Sequence, residues 1–217
     1  MASKRGCFIT VEGGEGVGKS TNLAFIQRHL EAAGETVVMT REPGGTPLAE
    51  RIRDLLVDRA EHRMPDMTEL LLMFAARAEH LEHRIRPALA VGHWVVCDRF
   101  TDATYAYQGG GRSMDHALIE LLEQHVQRDL RPDLTLLLDA PVEVGIQRAR
   151  ARGEQDRFEV EQSDFFERVR ESYLAIARRE PERVSIVDAS RELADVQRSL
   201  ADILDGFLAR HGRGVRV

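Results

Sequence analysis

The chain is short of several things, and each shortage excludes something. It has two cysteines in 217 residues, Cys7 and Cys97, both inside apolar runs. That excludes a disulfide-stapled scaffold and suits buried thiols in a reducing compartment. No run approaches the ~18 apolar residues of a membrane span. The opening Met1-Ala2-Ser3-Lys4-Arg5-Gly6 has no long apolar stretch of the kind a signal peptide carries. A cytoplasmic protein that meets no membrane is expected. Positive charge is also in deficit, with 30 Lys and Arg against 36 Asp and Glu for a formal net charge of −6. Such a balance argues against nucleic acid as the main partner. There is no internal repeat, low-complexity tract or linker that would divide the chain. What is present, at 43% hydrophobic, supplies a core for one domain spanning residues 1–217.

Apolar, β-rich runs alternate with helical patterns along the whole length. Strands are predicted at Phe8–Val11, Thr36–Thr40, Trp94–Cys97, Leu134–Leu138 and Val184–Val187. Near-continuous apolar strands separated by helices mean a five-stranded parallel sheet covered on both faces, a three-layer α/β fold. A helix from about Thr46 is expected to turn Leu48, Ile52, Leu55 and Leu56 inward. Another, from Met67 to about Leu89, is apolar at Leu70, Leu71, Met73, Phe74 and Leu81. His80 and His83, beside Glu79 and Glu82, read as a solvated face of that helix.

The first apolar run leads into Gly13-Gly14-Glu15-Gly16-Val17-Gly18-Lys19-Ser20, which fits G-x-x-x-x-G-K-[ST] at every fixed position. A strand that turns through glycines into a helix presents backbone N–H groups and a helix N-terminus to an anion. Lys19 can reach the β- and γ-phosphates of a nucleoside triphosphate, and Ser20 can ligate Mg²⁺. Thr21 follows in the first helical turn. This is a P-loop.

Three further groups sit where strands are predicted to end, the edge at which open α/β sheets bind ligands. Thr40-Arg41-Glu42-Pro43-Gly44-Gly45-Thr46 brings Arg41 to the P-loop's crevice. Asp98-Arg99-Phe100 brings a carboxylate suited to Mg²⁺ or the phosphoryl acceptor, and a guanidinium suited to phosphate. Asp139-Ala140-Pro141 closes the fourth strand. Arg77, four residues beyond Met73 and three beyond Phe74, shares their helix face, where a flat base can pack and be hydrogen-bonded; a core arginine is the other reading. The segment Thr101 to Arg112 mixes aromatics, hydroxyls and glycines, and suits sugar or base contacts or a flexible connector. Between Arg148 and Arg157 lies an Arg-rich run that is either a solvated helix end or a phosphate-closing lid.

Taken in this order, the motifs closely resemble those of bacterial thymidylate kinases, members of the P-loop nucleoside monophosphate kinases. The resemblance rests on the P-loop with Glu15 inside it, Thr-Arg-Glu-Pro-Gly-Gly-Thr at 40–46, and Asp98-Arg99. It also rests on Ala-Tyr-Gln-Gly-Gly-Gly-Arg at 106–112, Arg-Pro-Asp-Leu-Thr-Leu at 131–136, and the Arg-rich stretch ending in Asp156-Arg157. It implies phosphorylation of dTMP to dTDP by ATP with Mg²⁺, a homodimer, and a lid at about 148–159. By the same resemblance, Gly13 to Thr21 hold ATP phosphates, with Arg148 and Arg157 assisting. Asp98 and Ser20 lie near Mg²⁺, and Arg41 and Arg99 clamp the dTMP phosphate. Glu15 meets the 3′-hydroxyl and Tyr107, beside Gln108, crowds the 2′ position. Arg77 reads a thymine carbonyl, and Thr104 touches the base. With no arginine between Gly13 and Gly18, the catalytic cation is expected from the lid, as Arg152. The family's base-stacking Phe usually lies four residues before the arginine matched by Arg77. Here that position is Met73, so either Met73 or Phe74 packs on the base. Rivals are a kinase for another nucleotide and a GTPase-like switch, but the chain has neither N-K-x-D nor a D-x-x-G after the third strand.

Overall fold

Strand β1 (Phe8–Glu12) is buried along its whole length, which is why its sequence is apolar without alternation. Ile9 and Val11 enter one core cluster and Phe8 another, on opposite faces, as the two-residue period of a strand requires. The computed structural model describes residues 5–58, 64–151 and 161–211. After β1 come α1 (Lys19–Ala32), β2 (Val37–Arg41), α2 (Pro47–Val57), α3 (Asp66–His80) and a π-helical turn, Leu81–Ile85. Next are α4 (Arg86–Ala90), β3 (Trp94–Asp98), α5 (Thr101–Thr104), a second π-helical turn (Tyr105–Gly111), α6 (His116–Val126) and β4 (Leu134–Asp139). The order closes with α7 (Val142–Ala151), α8 (Ser163–Arg179), β5 (Val184–Asp188) and α9 (Leu193–His211). No helix among the described residues is long and apolar enough to cross a membrane.

Among the described residues the strands form one five-stranded parallel sheet in the order β2-β3-β1-β4-β5. Helices α1 and α9 cover one face through Ile26, Leu30, Val196, Leu200, Leu204 and Phe207. On the other face, Leu81, Ile85 and Leu89 pack under β1 and β3, while Phe165, Val169 and Ile176 of α8 pack under β4 and β5. Every predicted strand exists, and each runs one residue further at its carboxyl end. The added residues, Glu12, Arg41, Asp98, Asp139 and Asp188, break the apolar pattern yet keep the register, with Arg41 paired to Asp98 and Val11 also paired to Asp98. The register therefore gathers charge at one edge of the sheet.

Three expectations are corrected, and one open alternative is decided. Leu48 and Leu55 on α2 are 48% and 59% exposed, and Leu71 on α3 is 50% exposed. These helices pack on each other and bury a narrower stripe, Ala49 and Leu56 on α2 and Leu70 and Phe74 on α3. The long helix expected over 67–89 is interrupted by the π turn at Leu81–Ile85. Pro87 cannot donate to the carbonyl four residues back and its ring clashes there, so a wider turn just before it relieves the conflict. His80 is fully buried, not on a solvated face; only His83 is exposed. Finally, the glycine-rich segment is no connector. Gly110 and Gly111 are helical and let the second π turn press against α8: a Cβ on Gly110 would lie 2.8 Å from Ser172 Cβ, and one on Gly111 would collide with the Phe165 ring.

Candidate active site

At the end of β1 the chain bends through Gly13 (φ 138°) and Gly16 (φ 69°), backbone values that L side chains resist. A Cβ on Gly16 would also overlap the Gly145 carbonyl of α7, so the loop can rest on that helix only as glycine. No side chain caps α1 and its first turn carries no acid. Its leading N–H groups are thus suited to an outside anion. Val17 is buried beneath the loop, Gly18 takes the left-handed position before α1, and Ser20 and Thr21 are exposed on the first turn. Lys19 Nζ folds over the loop, donating to the carbonyls of Gly13 (3.2 Å) and Gly14 (3.0 Å). Its pKa is lowered by burial and by the charge of Arg99, against the pull of Glu15, Asp98 and Glu12.

Beside the loop opens a cleft of about 280 Å³. Glu15, Gly16, Lys19 and Ser20 line it, together with Arg41, Asp98 and Arg99 from the carboxyl ends of β2 and β3. Met73, Arg77, Phe100, Thr104, Tyr107 and Gln108 also line it, as do Glu42, Arg53 and Val57. Most of these residues are far apart in sequence, and the sheet register brings them together. Asp98 Oδ1 is buried and accepts no hydrogen bond. Arg41 donates to Glu50 Oε2 at 2.7 Å.

Glu15 is the hub of the loop's ionic contacts. Its Oε1 accepts from Arg99 Nη2 at 2.5 Å and from the Tyr107 hydroxyl at 2.7 Å. Burial alone would raise its pKa, but Arg99, Lys19 and Tyr107 outweigh it and draw the carboxyl down to about 2. The Arg99 guanidinium lies over the Tyr107 ring, 4.6 Å from its centroid. Arg99 itself sits at φ 67°, a strained value for a side chain of this size. Hydrogen bonds on both sides hold it there: Arg99 N–H donates to Val11 O (3.0 Å), and Phe100 N–H donates to Glu12 Oε1 (2.7 Å). Glu12 Oε2 accepts from Tyr173 at 2.9 Å. Burial, with the charge of Asp102, raises the Glu12 carboxyl from 4.5 to about 8.

Arg77 is only 2% exposed. Nε donates to Glu42 Oε2 (2.7 Å), and Nη2 donates to Phe100 O (3.2 Å) and Thr104 Oγ1 (2.9 Å). Its Cζ lies over the Phe74 ring and over the Phe100 ring, 4.9 and 5.1 Å from their centroids. Nη1 has no hydrogen-bond partner. A buried cationic donor left unpaired is costly, so on a cleft-lining residue it marks a place for a ligand acceptor.

With this geometry in view, comparison with known proteins decides the family. Residues 11–200 match the family profile described as Thymidylate kinase. The chain belongs to the thymidylate kinase family. The thymidylate kinase of Pseudomonas entomophila is 60% identical over 205 residues, 94% of this chain and 98% of that protein. That of Chromohalobacter salexigens is 62% identical over 206 residues, 94% and 97% of the two. The crystal structure of thymidylate kinase from Ehrlichia chaffeensis superposes with a TM-score of 0.73 at 32% identity, covering 93% of this chain and 99% of that one. Members of the thymidylate kinase family are nucleoside monophosphate kinases, and the chain is accordingly a phosphotransferase.

Within this thymidylate kinase family member, the cleft gathers Glu15, Gly16, Lys19, Ser20, Arg41, Met73, Arg77, Asp98, Arg99, Thr104, Tyr107 and Gln108 from the residues expected at a site. Gly13, Gly14 and Val17 border a neighbouring pocket on the other side of the loop, and Gly18, Thr21 and Phe74 do not line the cleft. Phe74 packs with Leu70 and Ile119 in a separate core cluster, because it projects one residue around the helix from Met73. Phe100 supplies the aromatic wall instead. Arg148 lies on α7 and donates to the carbonyls of Ala189 (2.8 Å) and Ser190 (3.5 Å). Arg152 and Arg157, and most of the expected lid, lie outside the described residues. Sequence reasoning passed over Glu12, Phe100 and the role of Glu42. Glu12 had a signal, a lone acid closing an apolar strand just before Gly13. Glu42 stood in the 40–46 motif, but its role had no signal, since its partners Arg77 and His80 stand on α3, far along the chain.

Proposed function

We propose that the chain transfers the γ-phosphoryl group of ATP to dTMP, giving ADP and dTDP, in the cleft beside the P-loop. The observation that carries the reading is that one cleft holds both Lys19 with its glycine loop and Arg77 with the N–H groups of Nη1 unspent. The first suits a triphosphate and the second a base carbonyl. Arg41 and Arg99 supply the two guanidinium groups that grip the phosphate of dTMP. An oxygen of that phosphate attacks the γ-phosphorus in line; the new P–O bond forms as the bond to the β-phosphate oxygen breaks, and ADP leaves. Lys19 and the loop N–H groups take up the charge that shifts onto the leaving phosphate. Glu15 anchors Arg99 and Tyr107 and receives the deoxyribose 3′-hydroxyl, while Tyr107 closes the space a 2′-hydroxyl would need. Thr104 and Gln108 border the base and Met73 packs on it. Arg152 is the lid cation in this reading, with Arg148 and Arg157 near the ATP phosphates.

A divalent cation fits the donor set. Ser20 offers a hydroxyl and Asp98 a buried oxygen with no other partner, and such hard oxygens suit Mg²⁺. When bound there, it would neutralise phosphate charge. We read residues 1–217 as one domain acting in the cytoplasm as a homodimer. The exposed Leu48 and Leu55 on α2, Met67 and Leu71 on α3 and Leu121 on α6 support the dimer, since these helices are neighbours. The test is a coupled ADP-release assay with ATP, Mg²⁺ and dTMP, dUMP, dCMP, dGMP or dAMP offered separately. Turnover is expected to be highest with dTMP. ADP release at one slow rate whatever the acceptor would reject the reading.

A further inference from the structure

Behind Arg77 runs a buried polar chain that the reaction itself does not use. His80, one helical turn beyond Arg77 on α3, is 0% exposed. Its Nδ1 meets Glu42 Oε1 at 3.0 Å and its Nε2 meets Thr40 Oγ1 at 2.6 Å. Glu42 spends its other oxygen on Arg77 Nε. Burial would raise the pKa of Glu42, but the Arg77 charge and the His80 contact overcome it and lower the value, so the carboxylate is ionised. An ionised carboxylate only accepts, so Nδ1 must be the donor; in the neutral ring Nε2 then accepts from the Thr40 hydroxyl. Room for the ring is made by Gly45, where a Cβ would collide with His80. The chain thus ties the end of β2 and the loop after it to α3, with Glu42 and Arg77 lining the cleft and His80 behind them.

We infer that His80 is a positioning residue for base selection: through Glu42 it fixes the guanidinium of Arg77 so that Nη1 stays free for a carbonyl acceptor on the base. This rests on the reading of the cleft as a dTMP site. A carbonyl at position 4 of the pyrimidine accepts from Arg77, whereas the amino group of cytosine presents a second donor and is rejected. Without His80, Glu42 has one oxygen unsatisfied and can swing, and Arg77 can turn with it. Recognition of dTMP would weaken while dCMP would lose nothing.

Three variants separate the contacts. His80→Asn keeps an N–H near the Nδ1 position and so can still hold Glu42. His80→Gln carries its amide further out, near Nε2, and keeps only the Thr40 side. His80→Leu keeps neither. Steady-state kinetics with dTMP and with dCMP, at saturating ATP, are the measurement. KM for dTMP and the dTMP-over-dCMP ratio of kcat/KM should each worsen about tenfold in His80→Leu and His80→Gln, the scale of one hydrogen bond to a charged group. His80→Asn should stay within about threefold of the wild type on both, and KM for ATP should move less than twofold in all three. A general loosening of the fold would lower both substrates alike and leave the ratio unchanged, and that result overturns the inference. So does His80→Gln matching His80→Asn, a comparison that stands even where His80→Leu does not fold. A wild-type protein with no preference for dTMP over dCMP would instead sink the substrate reading before any variant is made.

Discussion

Glu12 shows how far one residue's chemistry depends on where the strand ends. As the last residue of β1 it is buried beneath the P-loop, accepts from Phe100 N–H and Tyr173, and titrates near 8 rather than 4.5, because burial and the Asp102 charge disfavour its ionised form. The native state therefore holds a proton between those pH values that the unfolded chain has released. The stability this contributes is complete below about pH 4.5 and is lost as pH rises through about 8. Over that window it falls by on the order of 1 kcal/mol per pH unit. Glu12→Gln has no such proton to lose. Urea unfolding at pH 5, 6.5 and 8 should show the variant gaining on the wild type as pH rises. Parallel pH profiles for the two proteins would mean that Glu12 is not the titrating group.

At the scale of elements, the second π-helical turn is the informative case. Its run of glycines has the composition of a flexible connector, yet Gly109 and Gly111 are buried and the turn lies against α8. The wider turn carries Tyr107 and Gln108 to the cleft while α8 supports it from behind, with Arg168 donating to Gly111 O at 2.8 Å. Gly111→Ala would gain helix propensity, worth up to about 1 kcal/mol, but would drive a methyl into Phe165. Overpacking of this kind costs about 1–3 kcal/mol and should dominate. Calorimetry is expected to show a Tm lower by roughly 5 °C. A Tm equal to or above the wild type would show that α8 yields and that the close approach is not needed.

For the whole molecule, the question is what covers the exposed leucines of α2 and α3. Leu55 is 59% exposed and Leu71 50%, and both lie on helices that also carry cleft residues, Arg53 and Val57 on α2 and Met73 and Arg77 on α3. A dimer through this face would brace the walls of each cleft. Leu55→Arg with Leu71→Arg should convert a dimer into a species of 24.5 kDa in sedimentation velocity. It should also raise KM for dTMP several-fold, since the cleft wall loses its support. A double variant that sediments as the wild type does would remove this face from the interface.

The sequence by itself determined the alternation of strands and helices, the P-loop and the charged residues closing the second, third and fourth strands. These depend on local periodicity and on backbone conformations that particular residues allow. It also carried Lys19, Arg41, Asp98 and Arg99, because chemistry at a strand's carboxyl end needs no knowledge of a distant partner. Only the tertiary structure decided that His80 is buried against Glu42 and Thr40, that Phe74 turns to the core while Phe100 walls the cleft, and that Leu55 faces outward. Each depends on which elements pack across β2, β3 and α3, and a helix pattern does not say which side of its apolar stripe a neighbour will cover. Arg77 marks the boundary. Its spacing from Met73 can be read along the chain, but the two N–H groups that Nη1 has left to spend can be counted only once Glu42, Phe100 and Thr104 have taken the other three.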